Sequence, residues 1–516
     1  MGIPSYFNFI LKNHPKIIVN KQQISCDFLF IDSNSLIYDS INELNFQIEN
    51  NNQVYDLVYT KINELIQINS PQQLTYVCFD GVPPLPKMYQ QRQRRFKSKL
   101  TKDILQTDTN KWNTNQITPG TDFMNQLDKY LENKFKNNEF VVVDGTKNNG
   151  EGEHKICHYI RNDVNRFLNK NSIIYGLDAD LIMLGLILTC LDINVYLYKE
   201  TKYFSYISQI KEDEKYYFNL KRLGLEIDNV LENCNITQSI YDYIMLCFLC
   251  GNDFLPHLPS INIRNNGIDY IIKFYKNLIR QQKRSKKTTI VKGLINIENK
   301  TINWSIFNIL CKMFKSEENN KIKENIQWKQ KFKYKLKPLN VEDKLNFLPC
   351  FDTEKEDYLI DTLDNYNEYI LNYDNIDELC MQYLKTLEWT WKYYVGYPME
   401  CNDIYFDHSH GPLFNDLVKN VPINDTESLI SKNNVKKEDV NPICQLFFVL
   451  PHCDHETIIP SKKYKKVFKE LYDEIPLLKN TNFDVDYFLC KYFWESHMIL
   501  ENIDIFEMNK IINLKI

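Results

Sequence analysis

The sequence predicts an α/β fold, with a mainly parallel central sheet flanked by helices and a mainly helical second region after it. Three observations predict this. Short apolar, β-branched runs alternate with segments of helical length from Ser25 to Tyr198. Four of these runs close on an aspartate. Past Lys292 the short runs give way to apolar residues at helical spacing.

Ser25 to Asp32 reads as the first strand, and Gln73 to Asp80 as the second, broken by Gly81. Phe140 to Asp144, Ile173 to Asp178 and Asn194 to Tyr198 follow as three more. Helical segments lie between them, including Tyr55 to Ile68, Phe123 to Lys136 and Ile156 to Phe167. An apolar helix runs from Tyr241 to Cys250. The polar, basic stretch from Gln281 to Lys292 reads as a linker and divides the chain into 1–285 and 286–516. Beyond it, Ile302 to Phe314, Asp377 to Tyr394 and Val485 to His497 carry helical patterns.

The 516 residues, 43% hydrophobic and 25% charged, suit a globular chain of two large units. No run reaches the ~18 apolar residues of a membrane span. Met1-Gly2-Ile3-Pro4-Ser5-Tyr6 lacks a signal-peptide pattern and has Tyr where myristoylation wants Ser or Thr. A soluble, intracellular protein is expected. The 14 cysteines sit mostly in apolar runs, so the Cys247/Cys250 pair reads as core rather than zinc ligands. His452-Cys453-Asp454-His455 fits no standard metal spacing. A net charge of −5 does not announce nucleic-acid binding, but balance over the whole chain can hide a basic groove beside an acidic site.

In open parallel sheets, ligands bind beyond the carboxyl ends of the strands, where Asp32, Asp80 and Asp178 are expected. In extended backbone, residues i and i+2 face the same way, so Asp178 and Asp180 are expected to converge. Alone, such a pair is usually a solvated turn. Its company points elsewhere. Gly150-Glu151-Gly152-Glu153-His154 adds two carboxylates ahead of a helix, and these converge if they sit in the turn before it. Asp253 follows Gly251-Asn252. Together, Asp32, Asp80, Glu151, Glu153, Asp178, Asp180 and Asp253 are candidates to hold two Mg²⁺ ions about 4 Å apart, which suits phosphodiester hydrolysis. Mn²⁺ can substitute.

Lys87 to Lys102 is basic, and on a helix Lys87, Gln91, Arg94 and Arg95 fall on one face. Guanidinium forks and an ammonium suit a terminal phosphate. A solvated amphipathic helix is the plainer reading, but the position just after Asp80 favours phosphate.

These segments, with Phe79-Asp80-Gly81-Val82, Ile117 to Thr121, Tyr175 to Gly185 and the block Gly251 to Arg264, resemble the XRN-type 5′→3′ exoribonucleases. Asn441 to Pro451 and Phe493 to Ser496 resemble the family's second conserved region. The resemblance implies a PIN/5′-nuclease-like catalytic region braced by the second region. It implies processive, Mg²⁺-dependent removal of nucleotides from single-stranded RNA bearing a 5′-monophosphate, with a role in mRNA decay. It places the 5′-phosphate on Lys87, Gln91, Arg94 and Arg95. The family stacks the terminal base between a histidine and a tryptophan; here Tyr38 and Tyr405 or Phe406 stand in those places. A monomer, cytoplasmic rather than nuclear, is expected. A DNA or structure-specific 5′-nuclease and a catalytically silent RNA-binding protein are the alternatives.

Overall fold

The computed structural model describes residues 6–106, 111–200, 215–233, 235–284, 291–397, 404–425, 428–430, 439–459, 461–481 and 483–515. The Met1-Gly2-Ile3-Pro4 motif lies outside them. The chain packs as two units. One comprises 13–223, 438–483 and 500–516, and the other 1–12, 224–437 and 484–499. The units interleave along the chain.

The first unit is built on a seven-stranded sheet of β1 (Ile18–Asn20), β2 (Phe28–Asp32), β3 (Leu74–Cys78), β4 (Val141–Asp144), β5 (Asn171–Tyr175), β6 (Asn194–Tyr198) and β7 (Tyr216–Asn219). Their order is β1-β7-β6-β5-β2-β3-β4. The five strands read from the sequence pair in parallel. β1 and β7 add an antiparallel edge that the sequence reading did not contain. Both are short, and their apolar residues are too few to show a period.

β2 is central, so both of its faces are buried. Leu29 and Ile31 join the core beneath helices Asn51–Asn69 and Asp122–Phe135 through Val58, Ile62 and Leu127. Phe28 and Phe30 point the other way, onto Phe167 and Tyr159. A run apolar at every position is what a doubly covered parallel strand requires. The chain steps from β2 to β3 to β4, then returns to the other side of β2 with β5. The β2/β5 gap is therefore the switch point where such sheets bind ligands.

The second unit is mainly helical, with Ile236–Phe248, Trp304–Lys315, Glu318–Lys333 and Ile376–Val395 among its helices. The helix expected over Val485 to His497 is absent. Asp484–Asp486 and His497–Ile499 instead pair as an antiparallel hairpin. Three-residue strands are too short to carry a period, and the tertiary pairing decides them. Among the described residues no helix is long and apolar enough to cross a membrane.

Candidate active site

Asp32 is the last residue of β2 and sits at the switch point. Asp80 lies two residues past β3 and is held on three sides. Its Oδ1 accepts the Gly152 N–H at 2.7 Å, its Oδ2 accepts the Asn34 amide at 2.5 Å, and its own N–H donates to Asn34 Oδ1 at 3.3 Å. Asn34 opens helix Asn34–Glu43 and was not singled out from the sequence. A short polar residue after a strand carries no signal of what it orients.

Glu151 caps helix Gly152–Asn162, and Glu153 is the second residue of that helix. Both are buried, and with His154 they place one ligand atom each within 4.8 Å of one another. The cap puts one carboxylate before the helix and the other on its first turn, so they meet without both lying in the turn. Gly152 makes the approach possible. A Cβ there would stand 2.6 Å from Asp32 Oδ1 and 3.5 Å from Asp80 Oδ1.

Asp178 and Asp180 do not share an extended strand. β5 ends at Tyr175, Ala179 is in the right-handed helical region, and Asp180 is the first residue of helix Asp180–Thr189. The Asp180 N–H approaches Asp178 Oδ1 at 3.5 Å. The two carboxylates still act on the same group, because both charges bear on Glu153.

The electrostatics of the group are dominated by burial and crowding of like charge. Burial, then Asp80, Asp178 and Glu151, push the Asp32 carboxyl well above the usual carboxylate range, with Lys87 opposing. Burial, then Asp178, Asp180 and Glu151, do the same to Glu153. Burial, then Arg161 and Lys87, push the His154 imidazole well below its usual range. Lys199, just past β6, is pushed down to about 8 by burial, with Asp178 opposing. Lys155 does not neutralise the group. Its ammonium ties the ends of β3 and β4 together through Phe79 O, Asp144 Oδ1 and Gly145 O at 2.8–3.0 Å.

Lys87, Gln91, Arg94 and Arg95 all lie on helix Leu85–Leu105, but their environments differ. Lys87, Gln91 and Arg95 are buried, and Arg94 is exposed. Lys87 Nζ is 2.5 Å from Glu151 Oε2, so this helix and the acidic group share an ion pair. Gln91 Oε1 accepts from Gln445 Nε2 at 3.3 Å, and Arg95 bonds Thr118 Oγ1. Burial lowers Arg95 to about 10, and its Nε is a buried donor with no acceptor. Arg92 is buried too, its guanidinium 5.1 Å from the Phe448 ring and bonded to Glu501 O. The plainer reading of a solvated amphipathic helix thus holds for Arg94 and fails for Arg92 and Arg95, each of which carries a buried Nε with no acceptor.

Tyr38 is exposed on helix Asn34–Glu43. Tyr405, Phe406 and Asp253 belong to the other unit. Phe406 is 8% exposed and edge-on to Tyr383, while Tyr405 is half-buried. Asp253 lies in the loop after helix Ile236–Phe248, which starts at Gly251 with φ +83°; a Cβ there would meet His257 N at 2.7 Å. Cys247 and Cys250 are buried and free. His455 bonds Tyr472 and Leu450 O, and Asp454 accepts from Asn113 and Asn115, so the 452–455 cluster has structural partners.

Residues 1–201 match the model of the XRN 5′-3′ exonuclease N-terminus, and residues 233–346 that of the Xrn1 helical domain. The chain belongs to the XRN family. It is 32% identical to 5′-3′ exoribonuclease 1 of Saccharomyces cerevisiae over 54% of this chain and 21% of that one. It is 26% identical to 5′-3′ exoribonuclease 1 of Schizosaccharomyces pombe over 92% of this chain and 38% of that one. The chain spans 39% or less of these and the other leading curated relatives. The catalytic core of Rad2 in complex with DNA substrate aligns at TM-score 0.33 and 13% identity, over 56% of this chain and 75% of that one.

An XRN-family 5′-3′ exonuclease region implies a divalent cation, and the donor set fits one. Two of the three converging ligand atoms are carboxylate oxygens, the hard donors that suit Mg²⁺ or Mn²⁺, and the third, on His154, is a borderline imidazole nitrogen. Two members are driven towards protonation by burial and then by repulsion that a cation would relieve, and Gly152 leaves the space beside Asp32 and Asp80 unfilled.

Proposed function

We propose that the chain is a 5′→3′ exoribonuclease that hydrolyses single-stranded RNA bearing a 5′-monophosphate and releases mononucleotides. One observation carries the reading. Lys87 joins a buried carboxylate group short of positive charge to a buried helix face whose Arg95 Nε lacks an acceptor. A metal site and a phosphate site thus share one residue.

Asp32, Asp80 and Glu153 would hold mainly one ion, and Asp178 and Asp180 mainly the other, with Glu151 beside them. Bound there, the ions supply an activated water and a stabilised leaving oxygen. The chain's own residues do the positioning. Asn34 and the Gly152 N–H orient Asp80. Lys87, Gln91 and Arg95 receive the terminal phosphate, whose charge also offsets the desolvation of Arg95. Tyr38 offers an exposed ring for the terminal base.

The test is degradation of one end-labelled RNA with 5′-monophosphate, 5′-hydroxyl or 5′-triphosphate, beside DNA of the same sequence, in Mg²⁺ or EDTA. Mg²⁺-dependent loss of the monophosphate RNA alone, as mononucleotides from the 5′ end, is expected. Equal loss of all three ends would remove the phosphate pocket. Equal loss of DNA would make this a 5′-nuclease without sugar preference. No loss from folded, Mg²⁺-loaded protein would leave an RNA-binding protein.

A further inference from the structure

The helical unit carries a concentration of positive charge that the catalytic reading does not use. Between Glu324 and Glu342 the sequence holds five lysines and no acid, in a chain whose net charge is −5. Lys329 is spent inside the unit, paired with Glu356 at 2.5 Å. Lys331, Lys333, Lys335 and Lys337 are exposed, and among the described residues none makes an ion pair. A favourable helix dipole accounts for Lys331 and Lys333, at the end of helix Glu318–Lys333. It does not account for Lys335 and Lys337 beyond that end, or for Tyr334 between them, whose ring is 87% exposed.

Aromatic rings continue from this segment within the same unit. The Lys491 ammonium lies 3.7 Å from the Phe332 ring centroid and 4.8 Å from that of Tyr492. Tyr492 stacks on Trp494 with an angle of 11° between their planes, and Trp494 is 42% exposed. The Arg264 guanidinium sits 5.1 Å and 5.2 Å from these two ring centroids and is anchored to Glu495 at 2.6 Å. The rings are therefore held in place, so little ordering is needed for a flat ligand to stack on them.

Unpaired lysines interleaved with exposed rings match one class of ligand, a flexible polyanion that also presents flat faces. We propose that the segment Lys331–Lys337, with the shelf formed by Lys491, Tyr492 and Trp494, is an accessory binding site for single-stranded nucleic acid. Lysines meet phosphates, and Tyr334 and Trp494 stack bases without regard to sequence. An acidic polypeptide would satisfy the lysines and leave the rings unused. The proposal rests on the reading that this chain handles a nucleic-acid strand, but not on hydrolysis.

The experiment measures binding by the full chain in EDTA, where nothing is cleaved, by fluorescence anisotropy. The probe is a 5′-hydroxyl oligouridine of about 20 nucleotides, longer than a typical single-strand site. It lacks the terminal phosphate that the Lys87–Arg95 helix would hold. Replacing Lys331, Lys333, Lys335 and Lys337 by Gln is expected to weaken binding at least about tenfold at low salt. The slope of log K against log salt should become shallower by about 3. Tyr334→Ala, at an exposed ring, is expected to weaken oligouridine about fivefold and to leave an abasic oligomer unchanged. Parental affinity and slope in both variants would overturn the proposal. So would polyglutamate competing as well as RNA with Tyr334→Ala silent, which would make the patch a site for acidic chains. Lost binding with intact Mg²⁺-dependent cleavage, or the reverse, keeps this proposal and the catalytic reading separately testable.

Discussion

Buried charge is handled in opposite ways in the two units. In the helical unit, Lys329 and Glu356 are both buried and form a 2.5 Å pair, and Glu356 also accepts the Leu489 N–H. Asp486 there is held well below the usual carboxylate range, because His410 and Lys355 outweigh its burial. In the sheet unit, Asp32 and Glu153 are buried beside further carboxylates and are pushed upward. Satisfied pairs lock structure. A crowded group of one sign stores repulsion that a ligand of the other sign can release.

The sharpest way to break this contrast is to alter one member of each kind. Asp178→Asn is expected to reduce Mg²⁺-dependent cleavage at least about a thousandfold, or about 4 kcal/mol of barrier. Its melting temperature in EDTA should be equal to or above the parent's, because repulsion is removed. A lower melting temperature in EDTA would mean that the carboxylates stabilise one another through partners not described above.

Glu356→Gln should do the reverse. Leaving Lys329 buried without its counter-charge is expected to cost about 3–5 kcal/mol in urea unfolding. An unchanged midpoint would show that water reaches the ammonium.

Acidification probes a third kind of buried group. Burial lowers the His455 imidazole from its ordinary value to about 4. The unfolded chain therefore binds a proton that the folded one refuses, and stability falls as pH drops from about 6.5 to about 4. The full effect is about 3 kcal/mol, and His455→Gln should flatten that part of the profile. A profile identical in the variant would place the acid sensitivity elsewhere.

The smallest effect sharpens the metal side. At a hundred times its dissociation constant, Mg²⁺ is expected to stabilise the parent by about 2.7 kcal/mol and Asp178→Asn by much less. Equal stabilisation of both would move the ion away from Asp178.

Much of the sheet unit was legible because its signals are local. A buried parallel strand is a near-continuous apolar run, and Phe28–Asp32, Leu74–Cys78 and Asn194–Tyr198 each carry a single polar residue. β1 and β7, three and four residues long, are too short to carry a period. The hairpin at Asp484–Asp486 and His497–Ile499 was misread as helix because pairing between distant residues overrode the local pattern. The acids were recognisable by type and company. The backbone that presents Asp178 and Asp180 was not, since a helix start and a strand end look alike over three residues.

The sequence by itself determined which residue types stand at the strand ends and along the basic helix, because chemistry and spacing are written along the chain. Only the tertiary structure decided that Arg95 is buried while its neighbour Arg94 is exposed. It also decided that Asn34 and Lys155 serve the site from behind, and that Lys87 of the basic helix pairs with Glu151 of the acidic group. Burial and charge compensation depend on what distant segments bring to a point in space, and no local pattern encodes that.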